Sequence, residues 1–257
     1  MIKTESLTKT YGTLNALENC AITIQKGAMT AILGENGSGK STLLNLIGRL
    51  SHPSSGKTYL NDNDIQTFKA IDFAKHVSIL KQRNHHNLNL SVYDLVSYGR
   101  YPHNPRQLTE EDHQIVRTCL QDMECWDFKD QSIQTLSGGQ LQRVYIAMVL
   151  AQDTEVILLD EPLNNLDLKH AHEFMQCMNH FVSHRNKTIV MILHDVNMVY
   201  RYCDAVVCLK DGECIAHGAV DSTLTQPILK QLYDLDFTIF THNTIKQCCV
   251  ETRNYEL

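Results

Sequence analysis

Apolar and polar side chains alternate along the first thirty residues in the manner of β-strands. A second strand is expected over residues 14–24, turned by Lys26-Gly27. Met29-Thr30-Ala31-Ile32-Leu33 is a short, nearly continuous apolar run that stops at Gly34, which predicts a strand buried on both faces. Beyond Lys40 the period changes: Leu43, Leu44, Leu46 and Ile47 recur at helical spacing. Residues 29–50 therefore read as strand, glycine loop, helix.

The middle of the chain breaks this pattern. Residues 91–132 are expected to be mostly helical, with a loop at Tyr101-Pro102-His103-Asn104-Pro105. Thr109 followed by Glu110, Glu111 and Asp112 marks a helix start, because acids favour the positive end of the helix dipole. The α/β alternation then resumes, with a buried strand over 156–159, a helix over 168–183 and a buried strand over 188–193. Residues 205–209 and 213–217 flank Lys210-Asp211-Gly212, a hairpin signal. A helix over 223–233 is expected to pack on the core.

Composition narrows the function classes. The chain has 257 residues, 43% hydrophobic, enough for a substantial core. Lys and Arg number 23 against 29 Asp and Glu, a formal charge of −6 that speaks against a general nucleic-acid binder. The nine cysteines show no paired CxxC spacing, so zinc is not expected and reduced thiols in a cytosolic protein are. Residues 1–12 lack the apolar core of a signal peptide. No apolar run reaches the ~20 residues of a membrane span, so membrane association is expected only through a partner.

Three motifs carry chemistry. Gly34-Glu35-Asn36-Gly37-Ser38-Gly39-Lys40-Ser41, followed by Thr42, fits G-x-x-x-x-G-K-[ST] in the required strand-to-helix setting. Glycines let backbone N–H groups turn around phosphate oxygens, and the helix adds its unpaired N-terminal donors. Lys40 can reach the β and γ phosphates, and the Ser41 hydroxyl can hold Mg²⁺. Asp160 and Glu161 end a buried strand, where Asp160 suits Mg²⁺ and Glu161 suits a general base toward water. Leu136-Ser137-Gly138-Gly139-Gln140 precedes a helical run, with Ser137 as N-cap and backbone N–H groups placed to meet phosphate.

Together and in this order the three motifs resemble those of the ABC ATPases, and the resemblance extends over almost the whole chain. It implies an α/β P-loop NTPase core with an antiparallel β subdomain (1–90 and 133–220), an inserted helical subdomain (about 91–132 plus the signature helix) and a C-terminal segment (221–257), all one ABC ATPase domain. It implies that Tyr11 stacks on adenine, that Gln82 contacts Mg²⁺ and water and communicates with a transmembrane partner, and that His194 touches the γ-phosphate. Leu166-Asp167 matches the end of the family's D-loop. Many relatives carry Ser-Ala before it where this chain has Asn164-Asn165. The implied cofactors are ATP and Mg²⁺. The implied partners are a second copy, whose Ser137, Gly138 and Gly139 complete the site, integral-membrane permease subunits and, indirectly, an extracytoplasmic substrate-binding protein. The implied location is the cytoplasmic face of the cell membrane, as a peripheral protein.

The run from Val92 to His103, and Gly99-Arg100-Tyr101-Pro102-His103 above all, resembles importers for iron(III)–siderophores, haem and cobalamin. With the sequence from Glu161 to Asp167, it favours iron(III)–siderophore import. A haem or cobalamin importer is the alternative within the class, and a soluble ABC ATPase in translation or DNA repair the alternative outside it. A small-molecule kinase would leave residues 136–140 unexplained.

Overall fold

The alternation at the start of the chain builds an antiparallel sheet. β1 (Ile2–Tyr11) pairs with β2 (Leu14–Cys20) and with the two-residue β3 (Thr23–Ile24). The single strand expected over 14–24 is divided after Cys20, one residue beyond Asn19, whose φ of 42° is left-handed. The buried Thr4 hydroxyl bridges the break, donating to the Cys20 carbonyl at 2.9 Å and accepting from the Ile22 N–H at 3.0 Å. β4 (Met29–Leu33) is buried at every residue and leads through a loop into α1 (Lys40–Ile47). β5 (Ser55–Leu60) and β6 (Asn63–Asp64) return to the first sheet, in the order β2-β1-β5-β6.

The computed structural model describes residues 1–81, 89–164, 166–243 and 245–251. The chain divides into two units, residues 67–190 and residues 1–66 with 191–257. Within the 67–190 unit the elements are α2 (Ala70–Phe73), β7 (Val77–Leu80), α3 (Val92–Ser97), α4 (Glu110–Asp122), α5 (Gly138–Ala151), β8 (Val156–Leu159) and α6 (Leu168–Arg185). β7 and β8 are parallel, with Val77 opposite Val156.

Helices α3, α4 and α5 pack together, and each starts on a reciprocal cap: Ser91 with Asp94, Thr109 with Asp112, Ser137 with Gln140. Between α3 and α4 the backbone tightens into a 3₁₀ turn at Tyr98–Arg100. Arg100 is buried there. Its Nε donates to Asp112 Oδ1 at 2.7 Å and its Nη1 to the Ala151 carbonyl at 2.9 Å. Asn104 Nδ2 donates to Asp112 Oδ2 at 2.5 Å, and a Cβ added to Gly99 would lie 2.3 Å from the Met148 carbonyl oxygen. The Gly-Arg-Tyr-Pro-His run is thus a lock that ties the α3–α4 connection to the end of α5.

β9 (Thr188–Ile192) carries the chain back to the first unit, which continues with α7 (Val196–Tyr202), β10 (Ala205–Lys210) and β11 (Glu213–Ala219). β10 lies parallel to β4 and antiparallel to β11. The helix expected over 223–233 starts later, as α9 (Gln226–Tyr233), after a separate short helix, α8 (Val220–Thr223). Pro227 explains the break, since its missing N–H and fixed φ suit only the first turn of a new helix. The chain then forms an unanticipated hairpin, β12 (Phe237–His242) with β13 (Ile245–Val250). The Asn197 side chain, on α7, clips it by donating to the Cys248 carbonyl at 3.2 Å and accepting from the Cys248 N–H at 2.8 Å.

Candidate functional site

In the first unit, residues 34–42 turn from β4 into α1 as the sequence predicts. Two glycines leave no choice of residue. Gly34 has φ +153°, and a Cβ there would meet the Leu209 carbonyl oxygen at 2.2 Å. Gly39, the N-cap of α1, has φ +99°, and its Cβ would meet the Ala16 carbonyl oxygen at 2.5 Å. β10 and β2 thus wall the loop. Lys40 is buried and curls back, donating from Nζ to the carbonyls of Gly34 at 2.8 Å and Glu35 at 2.7 Å. The buried Ser38 hydroxyl has no hydrogen-bond partner among the described residues, so a ligand oxygen entering the loop would satisfy it. Tyr11, half exposed at the end of β1, lies under Lys9 Nζ at 4.9 Å from its ring centre. His194 is exposed just past Leu193, whose N–H donates to Ile32 of β4 at 3.3 Å. Asp195 then caps α7.

In the second unit, Asp160 is buried at the end of β8, its N–H donating to the Leu80 carbonyl at 2.9 Å. Glu161 takes a left-handed φ of 52°, strain that sequence cannot announce and that clusters at functional turns. Asn164 Nδ2 donates to Glu161 Oε2 at 2.6 Å. One of the two asparagines that depart from the family habit therefore touches the candidate base. Gln142 of α5 donates to the Pro162 carbonyl at 3.2 Å, tying the signature helix to the same turn.

Ser137 caps α5, accepting from the Gln140 N–H at 3.3 Å while Gln140 Oε1 accepts from the Ser137 N–H at 3.0 Å. The N–H groups of Gly138 and Gly139 fall in the first turn, where no intrahelical acceptor exists. A cavity of 440 Å³ opens beside them, lined by Ser137, Gly139, Gln140, Arg143, Leu166, Asp167 and His170. Asp167 caps α6 at the His170 N–H, 2.9 Å, and its Oδ1 also lies 2.8 Å from His170 Nδ1. These bonds hold its carboxyl below the usual range, the backbone N–H first among them. Sequence reasoning missed His170 and Asn164, although the D-loop departure was a signal for the second. Gln82 lies outside the described residues.

Among the described residues no helix is long and apolar enough to cross a membrane, and no cluster of three or more His, Cys, Asp or Glu could hold a metal ion.

Residues 17–164 match the family model of the ABC transporter. The petrobactin import ATP-binding protein YclP of Bacillus subtilis is 42% identical over 94% of this chain and 96% of its own length. The iron(3+)-hydroxamate import ATP-binding protein FhuC of the same organism is 38% identical over 97% and 94%. The ferric enterobactin transport ATP-binding protein FepC of Escherichia coli is 36% identical over 91% and 87%. Among solved structures, a dimeric bacterial ABC transporter cassette superposes with a TM-score of 0.78 at 32% identity, covering 86% of this chain and 99% of that one. A post-hydrolysis dimer holding ADP and phosphate gives 0.78 at 31%, covering 86% and 99%.

Proposed function

The chain belongs to the ABC transporter family, and from that premise we propose that it is the ATP-binding and hydrolysing subunit of an importer for an iron(III)–siderophore complex. The carrying observation is the agreement of a phosphate loop of defined geometry with full-length relatives named for iron–chelate import.

In this reading Lys40 exchanges its two carbonyl acceptors for the β and γ phosphate oxygens. The loop N–H groups, the Ser38 hydroxyl and the start of α1 cradle the remaining oxygens. Tyr11 offers its exposed ring to adenine. By the motif resemblance, the Ser41 hydroxyl and the Asp160 carboxylate, with Gln82 as a third donor, would be the hard oxygen ligands of Mg²⁺, and bound Mg²⁺ would offset charge on the phosphates. Glu161 accepts a proton from the attacking water while the bond from the γ phosphorus to its bridging oxygen breaks, and His194 contacts the γ-phosphate. Asn164 fixes one Glu161 oxygen by donating to it.

Ser137, Gly138, Gly139 and Gln140 would meet nucleotide held by a second copy, a reading supported by the dimeric cassettes among the structural neighbours. Permease subunits would anchor the pair peripherally at the cytoplasmic face of the membrane, and a substrate-binding protein would deliver cargo to them. Exposed Tyr98 and Tyr101, beside a cavity of 410 Å³ on the α3–α4 connection, form an apolar surface suited to a permease segment.

The test is uptake in cells lacking this chain. Loss of radioiron import from ferric siderophores, with haem and cobalamin import intact, is expected. Intact ferric siderophore uptake with haem or cobalamin import lost overturns the cargo assignment.

A further inference from the structure

Two histidines near the end of α6 take no part in the proposed nucleotide chemistry. His180 and His184 stand four residues apart, one turn above the other on the same face of the helix, and both are exposed. Their rings stack at 4.3 Å between centres, with planes 21° apart. The surrounding hydrogen bonds assign the tautomer of His184. Ser183 Oγ lies 2.8 Å from the Asn179 carbonyl oxygen and 2.8 Å from His184 Nδ1. A hydroxyl has one proton to donate, and a carbonyl can only accept it. Nδ1 therefore keeps its own proton and donates to Oγ, which leaves the lone pair of His184 on Nε2.

We infer that His180 and His184 chelate one divalent transition-metal ion of the class that takes imidazole nitrogen, namely Cu²⁺, Ni²⁺ or Zn²⁺. Metal–nitrogen bonds of about 2.0–2.1 Å allow two nitrogens on one Zn²⁺ to lie at most about 4.2 Å apart. The ring spacing already stands near that limit, so small turns about the side-chain torsions bring one nitrogen of each ring to a common point. Ser183 is the outer hydrogen-bond acceptor that fixes the orientation of a ligating imidazole. The described residues contain no cluster of three or more ligand side chains, so water fills the remaining positions of the ion.

The charges around the pair suit a cation. It stands on the closing turns of an 18-residue helix, where unpaired carbonyls and the negative end of the dipole favour positive charge. The neighbouring cations are engaged elsewhere. The Arg185 guanidinium lies 4.7 Å from the Phe181 ring centre, with Nη2 3.9 Å from Asp122 Oδ2, and Lys187 Nζ donates to Asp153 at 2.7 Å. Mg²⁺ prefers oxygen donors, so it does not compete for two imidazoles. The site stands whether or not residues 34–42 bind nucleotide.

Purified full-length protein without an affinity tag would be carbethoxylated with diethyl pyrocarbonate, with and without micromolar Zn²⁺, and each histidine read by peptide mass. Joint protection of His180 and His184 that survives millimolar Mg²⁺ is expected. His180→Gln should expose His184 to the reagent, and His184→Gln should expose His180. Both side chains are on the surface, so circular dichroism should match the wild type. Affinity for Cu²⁺, titrated directly, should fall roughly tenfold or more in either variant and about tenfold in Ser183→Ala, the low end for an outer hydrogen-bond partner. Protection of one histidine alone, protection unchanged in the single variants, or displacement by Mg²⁺ each overturns the chelate. Protection confined to other histidines, such as the adjacent His85-His86, means an adventitious ion only and overturns it as well. Unchanged Cu²⁺ affinity in Ser183→Ala overturns the role given to the serine.

Discussion

The phosphate loop and the turn after β8 are both proposed to face nucleotide, but they are built differently. The loop is fixed by backbone: carbonyls of Leu209 and Ala16 stand where side chains at Gly34 and Gly39 would be. The Glu161 turn is fixed by side chains, with Asn164 on Glu161, Gln142 on the Pro162 carbonyl and Asp167 on His170. A backbone cradle binds whatever phosphate enters it. A side-chain turn holds one oxygen in one place, and it can be altered one hydrogen bond at a time. Binding and hydrolysis should therefore separate by mutation.

The largest effect is expected at Glu161→Gln. If it removes the general base, turnover falls by about 10²–10⁴ while nucleotide affinity measured by equilibrium binding stays near wild type. Equal losses in both would collapse the distinction between the two regions.

Next comes the lock between α3 and α5, where the contrast is between chemistry and scaffold. Asp112 is buried, and burial pushes its carboxyl pKa up. Hydrogen bonds from the Thr109 N–H, Arg100, the Thr109 hydroxyl and Asn104 outweigh that and leave it well below the ordinary value. A depressed carboxyl contributes stability above its unfolded pKa of about 3.9, and that contribution is lost as pH falls through the folded value. Arg100→Ala strands the buried carboxylate and should cost about 3–5 kcal/mol in urea unfolding at neutral pH. Its penalty should shrink in acid. A constant penalty down to acid pH would mean that the ion pair is not the source.

The lock also shows what sequence could and could not disclose. The strand at 29–33, the loop and α1 were legible because glycines and an apolar run fix them locally. The Gly99–His103 run was legible as a resemblance, but its physical role was not. Arg100 finds Asp112 and Ala151 only after α4 and α5 pack. Asn164 on Glu161 depends on a positive φ that no residue type announces. The final hairpin escaped because its strands are half exposed, so the alternation is weak, and it is held by contacts distant in sequence, such as Asn197 on Cys248 and Lys246 on the Asp221 carbonyl.

Asn164→Ala sharpens the comparison further. Freeing one Glu161 oxygen should lower kcat by roughly tenfold, the worth of one charge-assisted hydrogen bond, with ATP affinity unchanged. Restoration of the rate by Asn164→Gln would point to the amide rather than to the shape of the turn. An unchanged rate in Asn164→Ala would mean that Glu161 is held by other groups.

The smallest effect separates two roles of one hydroxyl. Ser137 caps α5 and is also proposed to meet a phosphate on a second copy. Ser137→Ala removes the cap and should cost about 1 kcal/mol of stability. Ser137→Asp keeps the cap, because a carboxylate accepts the Gln140 N–H as well as a hydroxyl does, and it favours the helix dipole. If capping were the whole role, the aspartate variant would be at least as stable as wild type and equally active. If Ser137 also faces nucleotide, the same variant sets a negative charge against phosphate. Stability should then hold in thermal unfolding while hydrolysis falls, and nucleotide binding by the isolated subunit should be spared, since the phosphate loop in the other unit is untouched.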